Sequence, residues 1–275
     1  MIMHAPILYI PHGGGPLPLL DHPGHKELVF FLKTFASRIR RPSAILVISA
    51  HWEETRPALT SAARPGMLYD YGGFPEEAYR LSYPAPGSPP YAESIRTLLA
   101  DSGFAPTLDP NRDYDHGLFV PLMLMYPDAR IPCLQLSLLK SLDPAEHLAL
   151  GRALAPLRAE NVLVIGSGMS YHNMGTFFSP GSQADNDKGE AFDNWLIRTV
   201  TDPGLSCKER EERLQNWQTA PHGRYCHPRE EHLLPLHVCY GMAAARTPLA
   251  ALVFNSKVMG KRVSAFLWHD AADQA

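Results

Sequence analysis

NVLVIGSGMSYHN, residues 161–173, reads as a buried β-strand that runs into a glycine-interrupted turn and ends at His172. Two other stretches have the same form. ILYIPHGGG (7–15) ends an apolar run at His12, and AILVISAHWE (44–53) ends one at His51. The runs are rich in Ile, Val and Leu without polar alternation, as expected of strands in a parallel sheet covered on both faces. In an open α/β sheet, ligands gather at the edge formed by the strand C-termini. Three imidazoles delivered to that edge from distant parts of the chain point to one shared site.

Strand-like runs at 6–10, 44–50, 131–137, 161–166 and 248–254 alternate with helical patterns. The spacing of Leu28, Phe31, Leu32, Phe35 and Ile39 predicts a helix over 25–40. Ser88 followed by Pro89 and Pro90 opens a second helix, which stops near Gly103. Asp143, Pro144 and Glu146 open a third, with Glu146 as the back-bonding partner of the cap. Further helices are predicted over 185–200 and 229–244. Segments 56–82 and 105–109 read as short strands and loops, and 201–228 as polar and partly helical. The expectation is one α/β domain over 1–275, with a central mostly parallel or mixed sheet flanked by helices on both faces.

Composition narrows the function classes. The 275 residues are 45% hydrophobic and carry a net charge of −3, which argues against a nucleic-acid footprint or a polybasic membrane patch. No apolar run approaches the ~20 residues of a membrane span. The N-terminus lacks the basic region and cleavage site of a signal peptide. None of the four cysteines forms a C-x-x-C pair, so a thiolate zinc site is not expected and the pattern suits a reduced, cytoplasmic setting.

The chemistry-bearing residues are histidines in unusual contexts. His12 precedes three glycines, which permit close backbone approach, but the G-x-G-x-x-G spacing of a dinucleotide site is missing. His51 is flanked by Trp52 and Glu53, and Glu53 is a candidate acceptor for a ligand N–H. In PREEHLLP, Glu231 and His232 are adjacent, so a metal triad completed there takes one or the other. Either choice leaves open positions on the ion, as catalytic non-haem iron requires. His172 and His116 are left as acid/base groups or substrate contacts, with Asp115 able to fix the His116 tautomer or cap a helix beginning near Leu118. His4, His22, His25, His147, His222, His227, His237 and His269 lack such contexts, although His227 and His237 lie close to His232. The aromatic segment YDYGGFPEEAYRLSYPAPGSP suits a substrate lid or an ordered structural loop, with Asp70 and its tyrosines as candidate contacts to a phenol.

Taken together, HGGGP, SAHWE, YDYGGFPEEAYRLSYPAPGSP, DYDHGLFVPLMLMYP, IPCLQLSL, VIGSGMSYHN and PREEHLLPLHV resemble the class III (LigB-type) extradiol ring-cleaving dioxygenases, in the branch containing the DOPA dioxygenases. The match runs in order from residue 7 to about residue 254. The resemblance implies a mononuclear divalent metal, Fe(II) for activity with zinc often in its place. It implies ligands His12, His51 and His232, an acid/base role for His172 and a position near the substrate for His116. The implied partners are a small catecholic substrate and O2, with a homo-oligomer possible. Two departures stand out. Protocatechuate-cleaving relatives use a glutamate as third ligand, which keeps Glu231 in play, and His227 stands where related sequences often carry asparagine. Two rival functions share these residues: a zinc-dependent hydrolase, and a non-enzymatic binding protein of the Memo type.

Overall fold

A computed structural model describes residues 5–177, 182–247 and 249–269. His4 and Pro248, at the start of the last predicted strand, lie outside them. Eight strands form one sheet: β1 (Ile7–Pro11), β2 (Ala44–Glu54), β3 (Ala58–Thr60), β4 (Thr107–Asp109), β5 (Cys133–Leu139), β6 (Val162–Gly168), β7 (Ala251–Val258) and β8 (Lys261–Trp268). Their order is β4-β3-β5-β2-β6-β1-β8-β7. The centre, β5-β2-β6-β1, is parallel, and β6 lies between β2 and β1 with Ser167 beside both Ser49 and Ile10. The three strands that lead to His12, His51 and His172 are therefore neighbours ending at one edge.

The sheet is mixed because β8 runs antiparallel to β1, and β7 pairs with β8 across a tight turn at Met259 and Gly260, where both residues have positive φ. The predicted strand at 248–254 is this antiparallel edge strand, displaced to Ala251–Val258.

The helices are α1 (Lys26–Phe35), α2 (Pro89–Asp101), α3 (His116–Met125), α4 (Pro144–Leu154), α5 (Met174–Phe177), α6 (Gln183–Thr201), α7 (Cys207–Gln215), α8 (Gly223–Cys226) and α9 (Leu234–Ala243). Successive strand residues point to opposite faces. A side chain on Gly166 would meet Cys239 and Pro235 of α9, while Ser167 reaches Gly117 of α3. Those two helices consequently cover opposite faces of β6. The stripe Leu28, Phe31, Leu32 and Phe35 is buried as expected, but α1 gives way to a 3-10 turn at Ala36–Arg38 before Ile39.

Three local expectations are corrected. The last helix begins at Leu234 rather than 229, because Pro235, which has no N–H to donate, occupies its first turn. Residues 228–233 are bends and turns, which places Glu231 and His232 off the helix. At the start of α4, Asp143 caps Ala145, whereas Glu146 takes the Ser141 hydroxyl instead of closing a capping box. No helix among the described residues is long and apolar enough to cross a membrane. The four cysteines are free thiols, and Cys133 and Cys239 are buried core residues.

Candidate metal centre

Five imidazoles converge at the C-terminal edge of the central strands. Ring centroids of His12, His51 and His232 form a nearly equilateral triangle, 4.8, 4.9 and 5.2 Å on a side. His116 packs 3.9 Å from His51, and His172 stacks on His232 at 3.4 Å with its plane tilted only 15°. Donor atoms of His12, His51 and His116 lie within 4.8 Å of one another, as do those of His172, Glu231 and His232. His12, His116 and His232 are buried, while His51 and His172 are about one-fifth exposed.

Backbone contacts bring these residues together across the chain. His12 follows β1 directly, and its N–H donates to Gly168 O at 3.2 Å. Gly13 and Gly15, both at positive φ, then turn the chain away, and Gly14 N–H donates to the buried His25 Nε2 at 3.0 Å. His232 arrives from the turn before α9, its carbonyl held by Tyr9 Oη–H and by Met169 N–H, both at 3.0 Å. His172 N–H donates to Cys226 O.

The outer nitrogen of four of the five rings has a partner within 3.1 Å. Gly117 O would normally accept from the residue four positions on, but that residue is Pro121, inside α3, which has no N–H. The Ser167 hydroxyl supplies the missing donor at 2.5 Å. Its single hydrogen is thereby used, so Ser167 Oγ accepts from His12 Nδ1–H at 3.0 Å, leaving His12 Nε2 as a bare lone pair. Glu231 Oε1 accepts from His232 Nδ1 at 2.9 Å and lies 3.1 Å from His172 Nδ1. Asp70 Oδ1 accepts from His116 Nδ1 at 2.7 Å and from the His116 backbone N–H at 3.1 Å, with Oδ2 3.7 Å from His51 Nδ1.

Electrostatics keep the three rings of the triangle neutral. Burial, reinforced by the neighbouring imidazoles, holds His12 and His51 well below the usual histidine range. His232 is pushed down to about 3 by burial and by His172, against the pull of Glu231. Burial alone would raise the carboxyls of Asp70 and Glu231, but hydrogen bonds from His116 in one case and from His172 and His232 in the other hold both below the usual range.

These residues fit a divalent first-row metal. Neutral imidazoles oriented through the other ring nitrogen are the usual ligands for zinc and iron. His12 Nε2 and His51 Nε2 lie 3.1 Å apart, a spacing that needs a proton or a cation between two lone pairs. His51, His172 and His232 border a cleft of about 470 Å³, also lined by Ala50, Glu53, Met174, Arg229 and Glu231. That volume falls within the range of small-molecule sites.

Several sequence readings change. Glu53 does not reach an imidazole: it forms a bidentate pair with Arg229 across the mouth of the cleft, at 2.5 and 2.6 Å. Asp115 neither orients His116 nor caps α3 with its side chain, which goes to Ser49 and Arg112. His227 faces away from the cleft, donating to Ser170 O between Phe192 and Trp217, and His237 lies between two backbone carbonyls. The aromatic segment is an ordered wall in which Tyr71 packs edge-on against His116. Sequence reasoning missed Ser167 and the orienting role of Asp70. The four-residue spacing of Gly117 and Pro121 is the signal that an outside donor was needed.

The chain belongs to the LigB family. The family model described as the catalytic LigB subunit of aromatic ring-opening dioxygenase matches residues 1–267. Among curated relatives, the 4,5-DOPA dioxygenase extradiol of Beta vulgaris is 42% identical, with 90% of each chain covered. Dioxygenase tasH of Hapsidospora irregularis is 37% identical over 96% of this chain and 85% of its own. A crystal structure of an uncharacterized protein, JW3007, from Escherichia coli K12 superposes with a TM-score of 0.77 at 29% identity, covering 96% of this chain and 99% of that one. The family and these relatives support an oxygenase of the extradiol dioxygenase type.

Proposed function

We propose that this protein is a metal-dependent extradiol dioxygenase that opens the ring of a catechol-type substrate with O2, giving a product of the hydroxymuconic-semialdehyde type. The observation that carries this reading is the triangle of neutral imidazoles, His12, His51 and His232, of which His51 and His232 border the cleft of about 470 Å³. In this reading those three rings hold the metal and residues 1–275 act as one catalytic domain in the cytoplasm. Fe(II) held there would supply the Lewis-acid and redox chemistry of the reaction, and zinc is the ion expected in its place in a resting protein.

The protein's own groups do the rest. His172 Nδ1 is engaged by Glu231, so its Nε2 is the free base that takes a catechol proton and later returns it. His116, engaged by Asp70, has the same polarity and serves as the second acid/base group. Half-exposed Met174 offers the cleft an apolar wall for the aromatic ring. Glu231 stays ionised between two imidazoles, which favours His232 over Glu231 as the third ligand.

The test is anaerobic Fe(II) reconstitution followed by air and a panel of catechols. A yellow ring-opened product with matching O2 uptake is expected, abolished in His12→Ala. His172→Ala should retain metal and lose roughly 10²-fold or more in kcat. Bound iron with no O2 uptake on any catechol would overturn the reading.

A further inference from the structure

Four of the five clustered imidazoles form two pairs, and one carboxylate spans each pair. His51 and His116 are spanned by Asp70, and His232 and His172 by Glu231. Each pair combines one ring of the proposed ligand triangle with one proposed acid/base ring. The carboxylates come from unrelated places, the aromatic wall and the turn before α9. A carboxylate can only accept, so a ring facing it carries its proton on Nδ1 and presents Nε2 as a lone pair. The second oxygen of Glu231 has no hydrogen-bond partner and lies 3.5 Å from Arg229 Nη1, so the Glu53–Arg229 pair steadies that carboxylate from outside.

We infer that Asp70 and Glu231 are matched positioning residues. Glu231 fixes the Nδ1–H form of His232 and His172 together. Asp70 fixes that of His116, its second oxygen lying 3.7 Å from His51 Nδ1, beyond hydrogen-bond reach. Each fixed ring presents Nε2 on the side away from its carboxylate. The assignment of rings to metal and acid/base duty rests on the proposed function, whereas the tautomers do not.

Long-range ¹H–¹⁵N NMR of the histidine rings in the metal-free protein tests this directly. Two buried rings serve as internal standards. His147 donates through Nδ1 to Asp143 O and accepts at Nε2 from Leu139 N–H, and His227 donates through Nε2 to Ser170 O. His116 and His172 should match His147. In Asp70→Ala only His116 should lose its single form, and in Glu231→Ala only His172 and His232 should, with both standards unmoved. Co(II) affinity, measured by chelator competition, should fall roughly 10- to 100-fold in each variant. Glu231→Gln keeps an oxygen that can accept from both rings, so it should restore the tautomers and most of the affinity. His116 or His172 in the Nε2–H form in the unmodified protein would overturn the inference, even if no variant folds. So would alanine variants with unchanged tautomers and affinity within twofold, or a glutamine variant as impaired as the alanine. Expected tautomers without cleavage of any catechol would leave this inference standing and remove the proposed function.

Discussion

Ser167→Ala deletes one oxygen and strands two buried groups, Gly117 O and His12 Nδ1–H. Leaving a buried polar group unpaired costs about 1–3 kcal/mol. The two losses fall on different equilibria. Gly117 O has no helical donor because of Pro121, so its penalty falls on folding with or without metal. His12 in the metal-free variant can move its proton to Nε2 and donate to His51 Nε2, 3.1 Å away, which relieves much of its penalty. Metal binding removes that escape, because it requires a bare Nε2 and forces the unpaired hydrogen back onto Nδ1. The affinity should therefore fall by about 1–3 kcal/mol, roughly 5- to 150-fold, while the metal-free fold loses about the same amount of stability. Chelator competition with Co(II) or zinc measures the first and urea unfolding of the metal-free protein the second. An affinity within twofold of the unmodified protein would refute the argument that the hydroxyl sets the His12 tautomer.

Gly168→Ala would place a Cβ 2.1 Å from His232 O, the carbonyl that Tyr9 and Met169 hold in place. It should cost about 1–3 kcal/mol of stability and weaken metal binding as well, and an unchanged unfolding midpoint and affinity would count against this route for positioning His232. Stability should also depend on pH through the buried neutral histidines. Burial pushes His25 and His237 down to about 4 and His227 down to about 3, whereas an unfolded histidine takes its proton near 6.5. Below about pH 6.5 the unfolded chain binds more protons than the native one. Stability is thus full above that pH and falls as pH drops toward 4, by up to about 1.4 kcal/mol per pH unit for each such histidine. Urea unfolding of the metal-free protein across this window should show the slope, and a flat profile from about pH 7 to 5 would contradict it.

The reach of sequence reasoning differs between fold and site. The central strands and three of the site histidines were legible because the signal is local: an unbroken apolar run followed by a turn and a histidine marks a strand end, and parallel topology brings such ends to one edge. His232 and His116 stood out in their local contexts, and the resemblance to ring-cleaving dioxygenases gave them roles through ordered motifs spread along the chain. The antiparallel β7–β8 edge was not legible, because apolar runs do not reveal strand direction.

The partners of the imidazoles were decided only by tertiary structure. Asp115 is the neighbour of His116 in sequence, yet its extended backbone turns its carboxylate to Ser49 and Arg112, and Asp70 from 46 residues away takes its place. Glu231 and His232 looked mutually exclusive on a helix, but Pro235 delays the helix and the resulting turn lets the glutamate grip the histidine beside it. Strand and histidine positions follow from short-range patterning along the chain. Which carboxylate or hydroxyl meets which ring nitrogen follows from packing between residues far apart in sequence, 155 positions in the case of His12 and Ser167, and only the folded chain determines it.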